Sequence, residues 1–185
     1  MPAFDSLVLT TARLRLRPLQ GDDATALHAI FSDPQVMRYW STPPWAGPAQ
    51  AEALIAADAL ALAAGAHLRL GLVRRDSGAL VGTCSLFNFN PACRRAEIGY
   101  ALARSVWGEG LMHEALEALV DHAFDALNLH RIEADIDPRN AASARSLERL
   151  GFVREGHFRE RWIVDGAVSD SAMYGLLRSD RVDRR

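Results

Sequence analysis

Hydrophobic and polar positions alternate along the first half of the chain with two different periods. The stretch LVLTTARLRLRPL has a period of two, which predicts a strand at the edge of a sheet. Asp22-Asp23 then opens a stretch with apolar residues at helical spacing, and Asp33-Pro34 is predicted to end that helix. An alanine-rich helix follows over roughly 48–64. This half of the chain therefore predicts one strand and two helices.

The second half begins with three strands in succession, predicted at about 67–74, 79–89 and 94–103 and separated by turn residues. The period then changes to 3.6 and predicts an amphipathic helix over about 111–127. A further strand, a short helix and two last strands complete the pattern. They are predicted around Ile132 to Ile136, from Asn140 to Gly151, and at about 152–164 and 167–177, with Asp165-Gly166 as a hairpin turn.

This order predicts an α/β fold with a mixed central sheet of about seven strands and about four flanking helices. The strand-helix-strand unit at its centre is where a ligand is expected. With 185 residues, the chain is long enough for one compact domain, which we expect to cover 1–185.

Composition narrows the class of protein. The chain is 49% hydrophobic and 24% charged with a net charge of −2, which excludes a disordered chain and argues against nucleic-acid binding. No stretch approaches the roughly 20 apolar residues of a membrane span, and the opening MPAFDSLVLT has no basic n-region. We therefore expect no membrane partner and a cytoplasmic location. Two cysteines, and histidines without ligand spacing, predict no metal site, and the absence of lysine excludes chemistry that needs a lysine.

A glycine pair at the start of the long helix is the strongest candidate for a ligand site. Gly108 and Gly110 allow a tight turn that leaves N–H groups uncovered, and the positive end of the helix points at the same place. Phosphate or pyrophosphate suits such a turn. The alternative is an ordinary strand–helix turn in which glycine only relieves strain.

The surrounding residues make the turn more specific. Glu97-Ile98-Gly99-Tyr100, the loop from Trp107 to Gly110 followed by Glu114-Ala115, and the segment from Asn140 to Phe152 resemble the GNAT acyl-CoA N-acyltransferase superfamily. Within it, the chain is most similar to the ribosomal-protein alanine N-acetyltransferases RimJ and RimL. The resemblance covers essentially the whole chain and implies a single-domain GNAT-like fold that acetylates an amine with acetyl-CoA and without a metal.

The resemblance also implies how acetyl-CoA is held. The pyrophosphate would bind backbone amides from Trp107 through Met112, and the pantetheine arm would pair with a splayed strand end like an added strand. Asn140 would contact that arm, although a helix N-cap alone would explain it. Arg149 would contact the 3′-phosphate, or lie on a solvated face. The full set of implied cofactor-binding residues is Tyr100, Leu102, Trp107, Gly108, Glu109, Gly110, Leu111, Met112, Asn140, Ser143 and Arg149.

Among these residues, Glu109 departs from the usual pattern of the family. A carboxylate at this position is also unfavourable beside pyrophosphate. The tyrosine that many relatives use to protonate the leaving thiolate is also replaced, here by Leu147. Ser143 is the predicted substitute near the thioester sulfur, unless it is only a first-turn serine. An amide near Leu102 would stabilise the oxyanion.

A base must accept the proton of the attacking amine. Glu97 is the preferred candidate, Asp135 the second and Glu160 the third. Glu133, Asp135 and Asp137 share one face of their strand, where they form either a solvated edge or an acidic acceptor cleft.

Tyr39 and Trp40 precede a proline-rich loop and form either a packed lid or walls of the acceptor groove. The expected acceptor is a protein N-terminal α-amine, such as that of a ribosomal protein. A small amine (a polyamine or an aminoglycoside) and a non-catalytic acyl-CoA-binding regulator are the alternatives. The apolar C-terminal strands also predict a possible homodimer.

Overall fold

One mixed sheet organises residues 3–182, the part of the chain described by this computed structural model. The strands are β1 (Leu9–Thr10), β2 (Leu14–Arg17), β3 (Leu68–Arg74), β4 (Leu80–Asn90), β5 (Arg95–Leu102), β6 (Arg131–Ile136), β7 (Val153–Val164) and β8 (Ala167–Leu177). The helices are α1 (Ala24–Phe31), α2 (Pro34–Met37), α3 (Ala49–Ala63), α4 (Leu111–Asp125), α5 (Ala141–Leu150) and α6 (Arg178–Val182). The strand order is β1-β2-β3-β4-β5-β6-β8-β7.

The predicted α/β fold with a mixed sheet is confirmed. The described residues form eight strands and six α-helices, where the sequence pattern predicts about seven and four. The additional elements are short: β1 has two residues, α2 four and α6 five. Elements of this length contain too few positions to show a period.

Near the N-terminus, one prediction is wrong and another is confirmed but incomplete. The first predicted strand is a hairpin of β1 and β2, in which Leu9 pairs with Leu16, so the sheet edge is β1 and β2 lies inside it. α1 ends at Phe31, just before Asp33-Pro34, as predicted. The pair also begins the additional helix α2, because the Asp33 side chain accepts a hydrogen bond from the Gln35 N–H at 2.8 Å and Pro34 occupies the first turn.

The two faces of the sheet bury separate hydrophobic clusters. The larger cluster lies under α4 and α5, where Leu116, Leu119 and Val120 are fully buried against leucines of the central strands. Each such side chain contributes roughly 2 kcal/mol of hydrophobic free energy. The smaller cluster lies on the opposite face, where α1 and α3 cover residues such as Val73 and Ala101. Helices therefore hold β2 to β5 between two layers.

The sheet opens between β5 and β6, the one parallel pair among the described strands. Their register runs from Arg95↔Arg131 to Glu97↔Glu133 and stops there. β5 continues to Leu102 paired only with β4, while β6 continues to Ile136 paired only with β8. The two strands therefore diverge beyond Glu97. The opening lies where the strand-helix-strand unit predicted a ligand site.

The C-terminal strands form the predicted hairpin, with Asp165 and Gly166 at positive φ. β7 exposes several large apolar side chains, among them Phe158 at 47% and Ile163 at 71%. The predicted homodimer through this region stays a prediction. Within residues 3–182, no helix combines the length and the apolar character that crossing a bilayer requires.

Candidate active site

The turn before α4 has the backbone geometry of an anion site. Gly108 and Gly110 adopt φ values of 83° and 78°, a left-handed conformation that glycine adopts without steric cost. Gly110 is the N-cap of α4, and the Glu114 N–H is the first in the helix to find a carbonyl, that of Gly110 at 3.2 Å. The N–H groups of Leu111 and Met112 therefore lack intrahelical acceptors and point out of the helix end. Such a cradle fits the pyrophosphate of CoA.

Trp107 differs from its predicted role. Its backbone N–H donates to the Arg104 carbonyl at 3.2 Å, so the free amides of the loop begin at Gly108. Its indole Nε1 instead donates to the Leu102 carbonyl at 2.8 Å. Trp107 therefore ties the end of β5 to the loop, and its ring remains 49% exposed beside it.

The loop is held from behind by the β1–β2 hairpin. Glu114 accepts hydrogen bonds from the Thr11 hydroxyl at 2.5 Å, the Arg13 backbone N–H at 2.8 Å and the Arg13 Nε at 2.7 Å. Arg13 also donates from Nη1 to the Glu109 carbonyl at 2.8 Å. Burial would raise the pKa of Glu114, but these donors outweigh it and lower the pKa below its ordinary value. The conformation of the loop thus depends on a residue about 100 positions away.

The carboxylate of Glu109 has a partner of opposite charge. Arg74 Nη1 lies 3.0 Å from Glu109 Oε2 in an exposed ion pair. This arginine offsets a negative charge that, without a partner, is unfavourable beside pyrophosphate.

Backbone groups of β5 line the opening of the sheet. The Ala103 N–H donates to the Val81 carbonyl, so alternate residues counted back from Ala103 bond to β4. Tyr100 and Leu102 lie between them and direct their backbone groups away from β4, towards the opening. The Leu102 carbonyl accepts the hydrogen bond from the Trp107 indole. The backbone N–H of Leu102 therefore remains available to a ligand. An amide-containing arm can pair with such an edge as an added strand.

Asn140 and Ser143 form the N-terminal turn of α5. The Asn140 side-chain oxygen accepts a hydrogen bond from the Ser143 N–H at 3.1 Å, which confirms the N-cap alternative. Ser143 is buried, and its Oγ lies 2.6 Å from the Tyr100 Oη. Leu147, one turn further along, is fully buried in the hydrophobic core. Arg149 is exposed near the end of the same helix.

Tyr100 and Ser143 therefore join β5 to α5 through their hydroxyls. Burial raises the pKa of Tyr100 to about 12, against a smaller lowering by the hydrogen bond to Ser143. The phenol stays protonated at neutral pH, and the pair holds hydroxyl protons near the opening. The sequence indicated the backbone of Tyr100 but not its side chain, because the contact joins residues 43 positions apart.

The predicted acidic row on β6 is present but not free. Glu133 lies between two arginines, with Arg95 Nη1 at 2.5 Å and Arg131 Nε at 2.8 Å. Asp137 pairs with Arg139 at 2.5 Å. Burial would raise the pKa of Asp137, but its hydrogen bonds with Arg139 outweigh this and lower it. An acidic cleft is therefore the wrong description at these two positions, since each carboxylate is neutralised locally.

The two preferred base candidates have different surroundings. Asp135 pairs with Arg161, whose Nε lies 2.9 Å from Oδ2, whereas Oδ1 is buried without a hydrogen-bond partner. Glu97 is half-buried at the last register position before the strands diverge, and Oε1 accepts a hydrogen bond from Asn88 Nδ2 at 3.0 Å. Glu97 has no arginine partner among residues 3–182.

A cleft of about 230 Å³ lies between the loop after α2 and the β7–β8 hairpin. Tyr39 and Trp40 line one side, and Asp137 and Ser169 belong to the other. Trp40 also packs edge-on against Phe31 with ring centroids 5.3 Å apart, so this residue belongs to the smaller hydrophobic cluster as well as lining the cleft. Among the described residues, no group of histidine, cysteine and carboxylate side chains can hold a metal ion.

Comparisons with known proteins agree with this geometry. A family model described as an acetyltransferase (GNAT) domain matches residues 13–153. The chain is 36% identical over 173 residues to the uncharacterized N-acetyltransferase p20 of Bacillus licheniformis, a match that covers 93% of this chain and 97% of the relative. It is 30% identical over 117 residues to the [ribosomal protein uS5]-alanine N-acetyltransferase of Escherichia coli K12, which covers 63% of this chain and 60% of the relative.

A solved structure gives the same result. The structure of spermidine N-acetyltransferase from Vibrio cholerae in complex with CoA and spermine aligns with a TM-score of 0.81 at 26% identity. The alignment covers 91% of this chain and 98% of that chain. The resemblance drawn from the sequence motifs is thus confirmed, whereas these relatives have two different kinds of acceptor.

Proposed function

Because this chain belongs to the GNAT acetyltransferase family and is an N-acetyltransferase with acetyl-CoA as donor, we propose that its acceptor is a protein N-terminal α-amine, such as that of a ribosomal protein. Ribosomal proteins are made in the cytoplasm, so the proposal implies a cytoplasmic location. The competing acceptor is a polyamine, the substrate class of the Vibrio cholerae relative.

The arginine partners of the β6 carboxylates support the N-terminal amine. A polyamine carries several ammonium charges, and each needs an unpaired anion or an equivalent group when it leaves water. Here Glu133, Asp135 and Asp137 each have an arginine at 2.5–2.9 Å. Glu97, on the neighbouring strand β5, has no arginine partner among the described residues. Because the charge of the three β6 carboxylates is offset locally, little of it remains to bind the second and third ammonium groups of a polyamine.

Acetyl-CoA binding is assigned to backbone groups supported by a few side chains. The N–H groups from Gly108 to Met112 would take the pyrophosphate, since glycine at positive φ and the helix end leave them open. Tyr100 and Leu102 would pair with the pantetheine arm through their backbone. Asn140 would contribute its remaining amide group, and exposed Arg149 would meet the 3′-phosphate.

Glu97 is assigned as the base, with Asp135 second and Glu160 third. A neutral amine must attack the thioester carbonyl, so a nearby group must take its proton. Glu97 borders the opening of the sheet and has no arginine partner among residues 3–182. Asp135 is already engaged in an ion pair with Arg161, whose Nε lies 2.9 Å from Oδ2.

The other side of the reaction is assigned to hydroxyl and amide donors. The N–H of Leu102 points into the opening and would stabilise the oxyanion that forms on the thioester carbonyl. The Ser143 and Tyr100 hydroxyls, 2.6 Å apart, would donate a hydrogen bond to the departing sulfur. This pair of hydroxyls would stabilise the leaving thiolate, which Leu147 cannot do because it has no donor group.

Kinetics with a panel of acceptors test the proposal. Peptides that begin with alanine or serine should show a kcat/KM at least about tenfold above that of spermidine, and the reverse order would overturn it. Glu97→Gln should lower kcat by roughly 10²–10⁴ while acetyl-CoA still binds. Asp135→Asn is the matched comparison, and a larger loss there would show that the two carboxylates are ranked wrongly.

A further inference from the structure

The edge strand β7 contains an irregularity that regular alternation does not predict. Phe158 pairs with Ser171 and Trp162 pairs with Ser169, so three residues of β7 lie opposite Asp170 alone. Within this bulge, Glu160 adopts φ 53°, the left-handed region that non-glycine residues rarely occupy. Bulges of this kind are used to re-aim side chains next to functional sites.

Asp170 holds the bulge in place. Its Oδ1 accepts a hydrogen bond from the Glu160 N–H at 2.7 Å, and its Oδ2 lies 2.9 Å from His157 Nε2. Strained backbone of this kind persists where its surroundings determine it, so the bulge has a fixed shape.

The bulge brings Arg161 onto the same face as its aromatic neighbours. In a regular strand, Phe158 and Trp162 share one face and Arg161 points to the other. Here the Arg161 guanidinium carbon lies 5.1 Å from the Phe158 ring centroid and 5.7 Å from that of Trp162. Its Nε reaches across to Asp135 Oδ2 at 2.9 Å. Two rings and a carboxylate thus fix the plane of the guanidinium.

The far edge of this guanidinium is available for a ligand. Its two Nη groups have no hydrogen-bond acceptor among residues 3–182, and the side chain is 42% exposed. Its neighbour Trp162 is anchored by a hydrogen bond from Nε1 to Ser171 Oγ at 3.0 Å and pairs with Ser169, which lines the 230 Å³ cleft. Through Ser169, this part of β7 therefore adjoins the cleft.

We propose that Arg161 determines acceptor specificity by donating hydrogen bonds to an oxygen atom on the carbon next to the acceptor's amine-bearing carbon. A planar guanidinium with two free N–H groups recognises carbonyl and carboxylate oxygens. The first peptide carbonyl of a protein N-terminus and the α-carboxylate of a free amino acid both offer such an oxygen. Asp135 holds the guanidinium of Arg161 in place and balances its positive charge. The acceptor oxygen therefore need not be charged, and a neutral carbonyl can accept the hydrogen bonds. This inference rests on the proposed function and gives it a recognition group.

Arg161 also disfavours polyamines. A polyamine has no oxygen that could accept a hydrogen bond from the Arg161 guanidinium. The positive charge of the guanidinium also repels the second ammonium group of the polyamine. If Arg161 had only a structural role, it would do no more than form the ion pair with Asp135. Replacing Arg161 would then affect the kinetics with all acceptors equally.

Variant kinetics with three small acceptors separate these roles. The acceptors are an alanyl peptide amide, free alanine and isopropylamine, which has the amine without the oxygen. The variants are Arg161→Gln and Arg161→Lys, with Arg159→Gln as the control, because Arg159 is exposed on the same bulge and has no ion pair among the described residues. The ratio of variant to wild type is compared within each acceptor, so differences in amine basicity cancel.

Arg161→Gln should raise KM for the oxygen-bearing acceptor about 10- to 100-fold, with kcat changed no more than about threefold and KM for isopropylamine unchanged. Arg161→Lys keeps the positive charge but not the two parallel N–H groups, so its KM should lie between those of wild type and Arg161→Gln. The KM of Arg159→Gln should match that of wild type. Equal losses for all acceptors, or no loss for any, would overturn the inference. A wild-type preference for free alanine over the peptide, lost in Arg161→Gln, would support Arg161 but overturn the protein N-terminus as acceptor.

Discussion

Replacing Glu114 with glutamine tests whether the β1–β2 hairpin supports the cofactor loop. The carboxylate accepts three hydrogen bonds, two on Oε1 from Thr11 and the Arg13 backbone and one on Oε2 from the Arg13 side chain. A glutamine oxygen can keep the bonds made to Oε1. Its NH2 group would then face Arg13 Nε, donor against donor, and the charge would be lost.

The expected cost follows from the bond that disappears. A hydrogen bond to a charged group is worth about 1.5–3 kcal/mol. Because the Glu114 side chain is 18% exposed and that of Arg13 is 49% exposed, solvent screening brings the expected loss to about 1–2 kcal/mol. For a chain of this length, that lowers Tm by about 2–8 °C.

The loss should depend on pH in a definite direction. The pKa of Glu114 is lowered in the folded state, so its stabilisation is complete above the unfolded carboxyl pKa of about 4.3 and disappears as pH falls through the folded value. Glutamine does not titrate. The difference in unfolding free energy between wild type and Glu114→Gln should therefore be full at pH 7 and shrink towards pH 3.

Urea unfolding at pH 7 and at several lower pH values measures this difference. Glu117→Gln is the control, because Glu117 is on the same helix but is 52% exposed and lies 3.5 Å from its arginine partner. It should change stability by less than about 0.5 kcal/mol. A Glu114→Gln effect that is equal at all pH values, or absent at pH 7, would refute the proposed support of the loop by the ion pair of Glu114 with Arg13. Acetyl-CoA should also bind this variant more weakly, since Arg13 holds the Glu109 carbonyl as well.

Two further substitutions test the loop and the hydroxyl pair. Gly110→Ala has room, since an added Cβ would meet only the Arg13 Nη2 at 3.7 Å, but its φ of 78° costs an L-residue about 1–2 kcal/mol. Calorimetry should therefore show acetyl-CoA binding weakened about 5- to 20-fold, with Gly47→Ala unchanged, and equal affinities would contradict the role of the left-handed turn. Tyr100→Phe removes the hydroxyl beside Ser143 and should lower kcat about 10- to 100-fold with little change in acetyl-CoA affinity; an unchanged kcat would remove Tyr100 from the reaction.

Sequence periodicity predicted the long elements because their buried faces repeat many times. α4 has eight buried positions in 15 residues, and β3 to β5 alternate between covered faces, so each leaves a clear pattern. Local chemistry was also readable. Gly108 and Gly110 predicted a tight turn, which is left-handed in the structure, and Asn140 predicted the N-cap of α5. These signals lie within a few residues of the structure that they specify.

Contacts between distant residues could not be predicted in the same way. The acidic row on β6 is visible as a period of two, but its arginine partners come from β5, β6, β7 and the turn after β6. Arg161 reaches Asp135 only because a bulge reverses the alternation that its sequence implies. Neither the partner nor the reversal leaves a local signal. The local charge around these carboxylates is therefore a property of the fold.

The arginine partners of these carboxylates have a consequence for a protein that handles acetyl-CoA. Thioesters acylate neutral amines, and a lysine released briefly from an ion pair would be open to slow acetylation by the enzyme's own donor. A guanidinium has a pKa above 12 and remains protonated, so it offers no nucleophilic nitrogen. With no lysine in the chain, every side-chain cation that neutralises Glu133, Asp135 and Asp137 is inert to the reagent that the protein binds. Exposure to acetyl-CoA therefore leaves these ion pairs chemically unchanged.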